Sequence, residues 1–522
     1  MAENHAAMAE SLPAGSVTAE GSTSLDWESG VKALKEFNET NVKTYTFDES
    51  QLREFLPQIP HVVKLLDSAA EEDRMVALAT CRILSRDRKV ANAVFGKDLF
   101  EKLCIITRLK TGSGPLTEAL APAALEAEKV ISNLVFHEQE YRDLSVAHGV
   151  LKSLIDRVAT VDAVSPEIQL FDVRVLFGLT AREPSLRLVA RQELDGLANL
   201  CSLLKNLHDK LPESDADLIN WTLRALYNLT ASFKEEEKEE LELDELMTIL
   251  RQLLLAMKDD KLVVEEVINN LSNMSKKSLA GLLTPTISAD SHRFMRYNVE
   301  AVDVMLDQLD YKLESPHQRE CLVPVLVALS QAARSSRVIR KYVKARILPP
   351  LKDVMNRPEE GDTLRNKLVR LMTSPLTEVK CTAADLLFVL CKEKVGRLIK
   401  YTGYGNAAGL LANRGLMLGG RGNGHFSSES EDSDTEEYVK YKDNINPVLG
   451  CYEEPKPNPI DEMTEEQKEH EAMQLLQLIN RLAQCSNIRP CVVYDGKPHP
   501  VDNVHELLNG LSQPNTSQTE GD

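Results

Sequence analysis

The chain has 522 residues, of which 43% are hydrophobic, 27% charged and only 5% aromatic, and its formal net charge at pH 7 is −19. A surface this acidic repels phosphate backbones and anionic headgroups, which argues against nucleic acid and membrane as first partners and favours basic protein surfaces. A core poor in rings and rich in Leu, Val, Ile and Ala suits helix packing better than a β-sandwich.

The nine cysteines are scattered and odd in number, and no C-x-x-C occurs, so free thiols in a reducing compartment are expected. The N-terminus lacks a basic-then-apolar signal, and no apolar run approaches ~18 residues. A soluble, cytoplasmic protein is the expectation.

Residues 1–25 are Ala, Ser, Gly, Glu and Thr with little to bury, and read as a disordered arm. From about 26 to 400 the apolar pattern is helical almost throughout. One short phrase returns there: "CRILSRD" at 81–87, "ISNLVFH" at 131–137, "LFGLTAR" at 176–182, "LYNLTAS" at 226–232, "LSNMSKK" at 271–277, "LVALSQA" at 326–332 and "LFVLCKE" at 387–393. Its central residues are Leu84, Leu134, Leu179, Leu229, Met274, Leu329 and Leu390, separated by 50, 45, 50, 45, 55 and 61 residues by subtraction. All-helical periods near ~40–47 residues are the armadillo/HEAT signature, with longer periods reflecting longer loops. A two- or three-helix unit cannot bury both faces alone, so it stacks on its neighbours. The expected fold is all-α: an armadillo/HEAT-like right-handed superhelical solenoid with a flexible C-terminal arm carrying one or two further helices. An irregular helical bundle with chance likeness among its helices is the alternative.

After 400 the pattern fades. Residues 401–462 read as a Gly-rich, acidic, phosphorylatable linker containing "SSESEDSDTEEY" at 427–438. Residues 463–485 read as an amphipathic helix, with Thr464 and Gln467 placed for a capping box. The tail, 486–522, is Pro-, Asn- and Gly-rich and is expected to be disordered.

The linker opens on "KYTGYGNAAGLL", whose Gly403, Gly405 and Gly409 suggest a phosphate cradle. A dinucleotide fingerprint needs a preceding strand and a βαβ unit, and a P-loop needs G-K-[ST]. The sequence before it is helical, and Gly409 is followed by Leu410 and Leu411. Both readings fail on context. No H-E-x-x-H, no G-x-S-x-G and no metal-spaced His/Cys grouping occurs. The expectation is a binding protein without a catalytic site, cofactor or metal.

Three phrases place Asn just before the central residue: Asn133, Asn228 and Asn273. A ladder of amides can grip a bound backbone, or it can bridge neighbouring repeats. The first phrase carries Arg82 and Arg86, which an i, i+4 spacing puts on one helix face. Two guanidinium forks there would suit a carboxylate, or they are two snorkelling surface arginines. "RVIRKYVKAR" at 337–346 is a basic helix with Arg340, Lys341 and Lys344.

Longer strings carry a resemblance. "LPPLKDVMNRPEEGDTLRNKLVRLMTSP" at 348–375, "RLIKYTGYGNAAGLLANRGLM" at 397–417, "SEDSDTEEY", "NINPVLG" and "MTEEQKEHEAM" together resemble synembryn, with "YTFDES" and "RILSRDR" fitting upstream. The likeness spans about residues 30 to 475. It implies a superhelix that binds GDP-bound or nascent Gα, stabilises the nucleotide-free state and is released by GTP. The C-terminal helix of Gα would enter the concave groove, while segments after the repeats touch its Ras-like domain.

The resemblance carries Arg82, Arg86 and Asn133 as groove residues; Phe177, Asn228 and Asn273 extend the same face. It also carries Ser428 and Ser433 as phosphorylation sites for an acidophilic kinase, each with Glu at +3. The phosphate would dock on Arg340, Lys341 and Lys344. A monomer recruited to the cell cortex by Gα would follow. An armadillo adaptor that binds helical or extended peptides without exchange activity is the alternative.

Overall fold

The computed structural model describes residues 27–160, 163–231, 243–285, 293–314, 321–422, 434–454, 460–484, 491–494 and 497–500. The chain begins with α1 (Trp27–Thr40), α2 (Glu49–Phe55), α3 (Ile59–Leu66), α4 (Glu71–Leu84), α5 (Arg88–Val94) and α6 (Lys97–Ile106). Next come α7 (Ala121–His137), α8 (Gln139–Ala147), α9 (Val150–Ala159), α10 (Pro166–Arg182), α11 (Pro184–Gln192), α12 (Gly196–Asp209) and α13 (Ala216–Ala231). They are followed by α14 (Asp244–Ala256), α15 (Lys261–Asn273), α16 (Glu300–Glu314), α17 (Leu322–Ser335) and α18 (Arg337–Ile347). The last are α19 (Leu364–Leu371), α20 (Thr377–Leu390), α21 (Val395–Thr402), α22 (Tyr404–Asn413), α23 (Glu436–Tyr441) and α24 (Glu465–Gln484). Strands β1 (Thr284–Pro285), β2 (Arg293–Phe294) and β3 (Tyr297–Asn298) form a small antiparallel sheet ordered β1-β3-β2.

Each returning phrase falls on one helix, at or near its C-terminal end: α4, α7, α10, α13, α15, α17 and α20. These seven helices pack on one another in that succession. The chain is therefore an armadillo-like solenoid, and the phrase marks one helix per repeat. Helix α10 shows why the phrase is so apolar. It is flanked by α7 and α13 and backed by α9, so Ile168, Val173, Val175, Leu176 and Leu179 are all buried. Between residues 171 and 180 only a stripe at i, i+3, i+6 stays half-buried: Phe171, Arg174 and Phe177. In α13 the same stripe is Trp221, Arg224 and Tyr227. In an armadillo stack this row lines the inner face.

Caps fix several helix starts. Asp48 and Gln51 form a reciprocal capping box on α2, and Asp260 accepts from the Leu262 and Val263 amides at α15. Two fully buried acids, Glu128 on α7 and Asp172 on α10, converge on Arg157 of α9. The Arg157 Nε donates to Asp172 at 2.9 Å, and its Nη1 donates to the Thr107 carbonyl at 2.9 Å.

The Gly-rich stretch expected to open a linker is built differently. Helix α21 runs through residue 400, and α22 starts immediately after Gly403. Instead of a phosphate, the amides of Tyr404 and Gly405 meet the carbonyls of Pro447 and Val448, at 2.8 and 2.9 Å. Gly403 has φ +73°, and a Cβ on it would lie 3.0 Å from the Leu449 backbone, so the close approach requires glycine. The N-terminus of α22 thus takes acceptors from its own chain.

Contacts within the chain group it into two units, one of residues up to 441 with 446–451, the other of 442–445 with 452 onward. In the second, Thr464 and Gln467 exchange the two bonds of a capping box at α24, as their spacing implies. Met473, Leu475 and Leu478 of α24 are exposed. Part of the tail expected to be disordered forms an antiparallel hairpin, β4 (Cys491–Tyr494) with β5 (Lys497–Pro500). The sequence places Asp-Gly between these strands, a hairpin signal that the Pro- and Asn-rich composition obscured.

The described cysteines Cys81, Cys104, Cys201, Cys321, Cys381, Cys391 and Cys451 are free thiols. Burial pushes Cys81, Cys104, Cys201 and Cys391 up to about 12, which leaves them unreactive. Among the described residues no helix is long and apolar enough to cross a membrane.

Candidate functional site

Five of the six expected groove residues lie on phrase helices and Arg86 lies just past the end of α4, but Asn228 is buried and their roles differ. Asn133 Nδ2 donates to Ser85 Oγ at 2.9 Å. Asn228 Nδ2 donates to Thr180 Oγ1 at 3.1 Å, and Asn273 Nδ2 donates to Thr230 Oγ1 at 3.1 Å. In each case the acceptor is the Ser or Thr that follows the central leucine of an earlier phrase helix. The amide donors are committed to stitching adjacent repeats, which is the bridging alternative of the sequence reading. At the α17–α20 step the same role falls to Ser330, which donates to Asp385 Oδ2 at 2.8 Å.

Arg82 sits in the last turn of α4, but α4 ends at Leu84, so Arg86 lies in the turn beyond it and the expected shared helix face is not formed. Arg82 Nε donates to Glu126 Oε2 at 2.8 Å, and Lys129 pairs with the other oxygen of Glu126 at 2.6 Å. Arg86 is turned the other way. Its Nη1 donates to the carbonyls of Val42 and Thr44, at 2.7 and 3.2 Å, and its guanidinium lies 5.1 Å from the Tyr45 ring centroid. Burial, then the neighbouring charge of Arg82, lowers the Arg86 pKa. The guanidinium stays charged at neutral pH regardless.

Further along the face lies a tier that sequence reasoning found only at Phe177. Trp221 stands edge-on to Phe177 and Phe136, with centroids 5.4 and 6.3 Å apart. Arg174 sits 4.9 Å from the rings of both Phe171 and Trp221, and Arg224 lies 4.8 Å over Trp221 while its Nε donates to Glu266 at 2.7 Å. Two guanidiniums thus lie close over the ring of one half-buried indole. Such a surface can hold the apolar side of a helix while offering charge at its edges. The signal lay in the sequence: "FDVRVLF" at 171–177 and "WTLRALY" at 221–227 are the same aromatic-x-x-Arg-x-x-aromatic stripe one repeat apart.

The basic patch is larger than the sequence reading and arranged differently. Arg340, expected on its surface, is buried, and its Nη1 donates to the Ala333 carbonyl at the end of α17. Lys341 is exposed and Lys344 is half-buried. Lys344 lies 5.6 Å over the Tyr401 ring, and burial, with the charges of Arg397, Lys400 and Lys392, brings it down to about 8. Arg397, Arg340, Lys341 and Lys394 likewise lower Lys392, after burial. Asp434 pairs with Lys400, whose ammonium lies 4.1 Å over the Tyr438 ring, and Thr435 donates to the Leu351 carbonyl. Ser428 and Ser433 lie outside the described residues. Among the described residues no cluster of three or more His, Cys, Asp and Glu side chains could hold a metal ion.

Residues 77–497 match the family described as guanine nucleotide exchange factor synembryn. The chain is similar to Chaperone Ric-8A of Xenopus tropicalis, 38% identical over 95% of this chain and 97% of that protein. It is 39% identical to Chaperone Ric-8A of Bos taurus over 88% and 90% of the two. Among solved structures, a designed armadillo repeat protein is 16% identical over 52% of this chain and 99% of its own, with a TM-score of 0.37. The fold assignment rests on the helix order and pairing rather than on that likeness. The chain belongs to the synembryn family of guanine nucleotide exchange factors.

Proposed function

We propose that the chain is a chaperone and nucleotide-release factor for G-protein α subunits, holding the C-terminal helix of Gα along the phrase-helix face. The observation that carries this is the aromatic–arginine tier around Trp221 on the phrase helices α10 and α13. Exchange by such a protein needs no catalytic residue. A factor that binds the nucleotide-free conformation best shifts the population toward it, so GDP leaves; GTP favours the other conformation and releases the factor. The same preferential binding stabilises a nascent α subunit, because anything that binds only the folded form adds to its stability.

The test is GDP release from purified Gα with and without this protein. Arg82→Ala with Arg86→Ala should lower Gα affinity by about 2 kcal/mol, roughly thirty-fold, without moving the melting temperature by more than a few degrees. Unchanged affinity in the folded double variant would sink the assignment of those arginines. Gα binding with unaltered GDP release would instead favour the adaptor reading.

Phosphorylation of Ser428 or Ser433 by an acidophilic kinase fits the same reading, with Lys341, Lys344, Lys392, Lys394 and Arg397 as the receiving charges and Arg340 holding α17 behind them. Support comes from Asp434, the residue after Ser433, already seated on Lys400. A phosphate beside Lys344 would raise its pKa from about 8 and favour the charged amine. Phosphorylation should therefore slow proteolysis of the arm at pH 7, and the protection should weaken toward pH 9 as Lys344 loses its proton. Equal cleavage of phosphorylated and unmodified protein at pH 7 would end this proposal.

A further inference from the structure

The loop from Asn41 to Asp48 has more internal order than a connection between α1 and α2 needs. Asn41 Nδ2 donates to the Phe37 carbonyl at 3.0 Å, the Thr44 amide donates to the Asn41 carbonyl at 3.0 Å, and Thr44 Oγ1 donates to Asn41 Oδ1 at 3.0 Å. The Phe47 amide donates to Asp87 Oδ2 at 2.9 Å, tying the loop to the turn after α4. Phe37 stacks between Phe47 and Phe55, with centroids 6.1 and 4.1 Å away. This fixed loop presents the Val42 and Thr44 carbonyls and the Tyr45 ring to Arg86. Tyr45 is itself 67% exposed, so its ring does little for the core.

Among the described residues, every hydrogen bond of Arg86 runs through Nη1. The Nε–Nη2 edge, which matches the two oxygens of a carboxylate, remains open. We propose that the 41–48 loop is a positioning element of the groove: with Tyr45 against the guanidinium, it aims the Nε–Nη2 edge of Arg86 at the terminal carboxylate of a bound peptide. This rests on the proposed binding of the Gα C-terminal helix along this face, and it takes the carboxylate option for Arg86 that the sequence left open. A long arginine side chain left free would have to be ordered on binding, and a guanidinium already held on one edge and one face loses less freedom.

The test uses the full chain and a synthetic peptide of the Gα C-terminal helix, made with a free C-terminal acid and with a C-terminal amide. Affinities are read by fluorescence polarisation. The wild type should prefer the acid about tenfold, a step of ~1.4 kcal/mol. Tyr45→Ala and Tyr45→Leu should bring that preference close to one, and Tyr45→Phe, which keeps the aromatic face, should retain it. Melting temperature checks that the exposed substitution leaves the fold intact. A wild type that prefers the acid, with Tyr45→Ala and Tyr45→Leu keeping the full preference, overturns the role of Tyr45 and leaves the carboxylate reading standing. A wild type that binds acid and amide equally removes the carboxylate reading, and the proposal falls with it.

Discussion

Arg157→Met should destabilise the protein by about 3–5 kcal/mol, the scale seen when one partner of a buried ion pair is removed. The reason is the stoichiometry of its surroundings. Glu128 and Asp172 are both fully buried, and Arg157 is the cation between them. Without it, α7 and α10 would hold two carboxylates with no counter-charge in the interior of a repeat contact. Even with Arg157 present, two acids face one cation. Asp172 takes both the Nε and an Nη2 of Arg157, whereas Glu128 Oε2 is buried with no hydrogen-bond partner. Burial, then the charge of Asp172, raises the Glu128 carboxyl well above the ordinary glutamate range. Burial raises the Asp172 carboxyl as well, against the lowering charge and hydrogen bond of Arg157; the larger rise makes Glu128 the member on which protonation is favoured.

The pH consequence follows from that direction. In the unfolded chain Glu128 releases its proton near its ordinary value, and in the folded chain it releases it later. Its contribution to stability is fully present below the ordinary value and declines as pH rises toward the raised one. Glu128→Gln mimics the protonated form. It should flatten the fall in stability across that window and cost little, while Asp172→Asn should cost more by breaking the bidentate pair. Denaturant midpoints measured from pH 4 to pH 8 check both. A steeper pH dependence in Glu128→Gln than in wild type would contradict the assignment of the proton.

Trp221→Ala should reduce Gα affinity by about 2 kcal/mol or more, the scale of an interface anchor, with a matching loss of stimulated GDP release. The indole is half-buried, and what it touches is on the face rather than beneath it: Phe136, Phe177, Arg174 and Arg224. Arg224 keeps its pairing to Glu266 when the ring is gone. The loss of stability should therefore stay below the ~3–5 kcal/mol of a fully buried Trp, and Trp221→Phe should recover much of the binding. Affinity by titration calorimetry, read beside melting temperature, separates the two effects. Wild-type affinity in Trp221→Ala would show that the partner does not use this tier.

The solenoid was legible because its signal is repetition: seven phrases near the ends of seven helices that pack in order. The binding face was half legible. Phe177 and its neighbours belong to a stripe that starts at 171 and 221, upstream of the phrases by which the repeats are recognised. The asparagines were visible in register, but whether an amide grips a guest or the next repeat depends on what lies one repeat back. Ser85, Thr180 and Thr230 answer that, and each sits in a phrase of its own. Arg340 could not be placed from spacing, since one turn of α18 decides between solvent and the end of α17. The Glu128–Arg157–Asp172 group has no local signature at all, because it exists only after α7, α9 and α10 have packed.

The junction at Gly403 carries its own reporter. The Tyr404 and Gly405 amides are bonded to the carbonyls of Pro447 and Val448, so these protons can exchange with solvent only when the returning segment lets go. Their hydrogen-exchange protection measures the free energy of that release directly and separately from global unfolding. Whatever loosens or tightens the C-terminal arm, a partner or a phosphate, would register at two backbone positions in the stretch that first suggested a nucleotide.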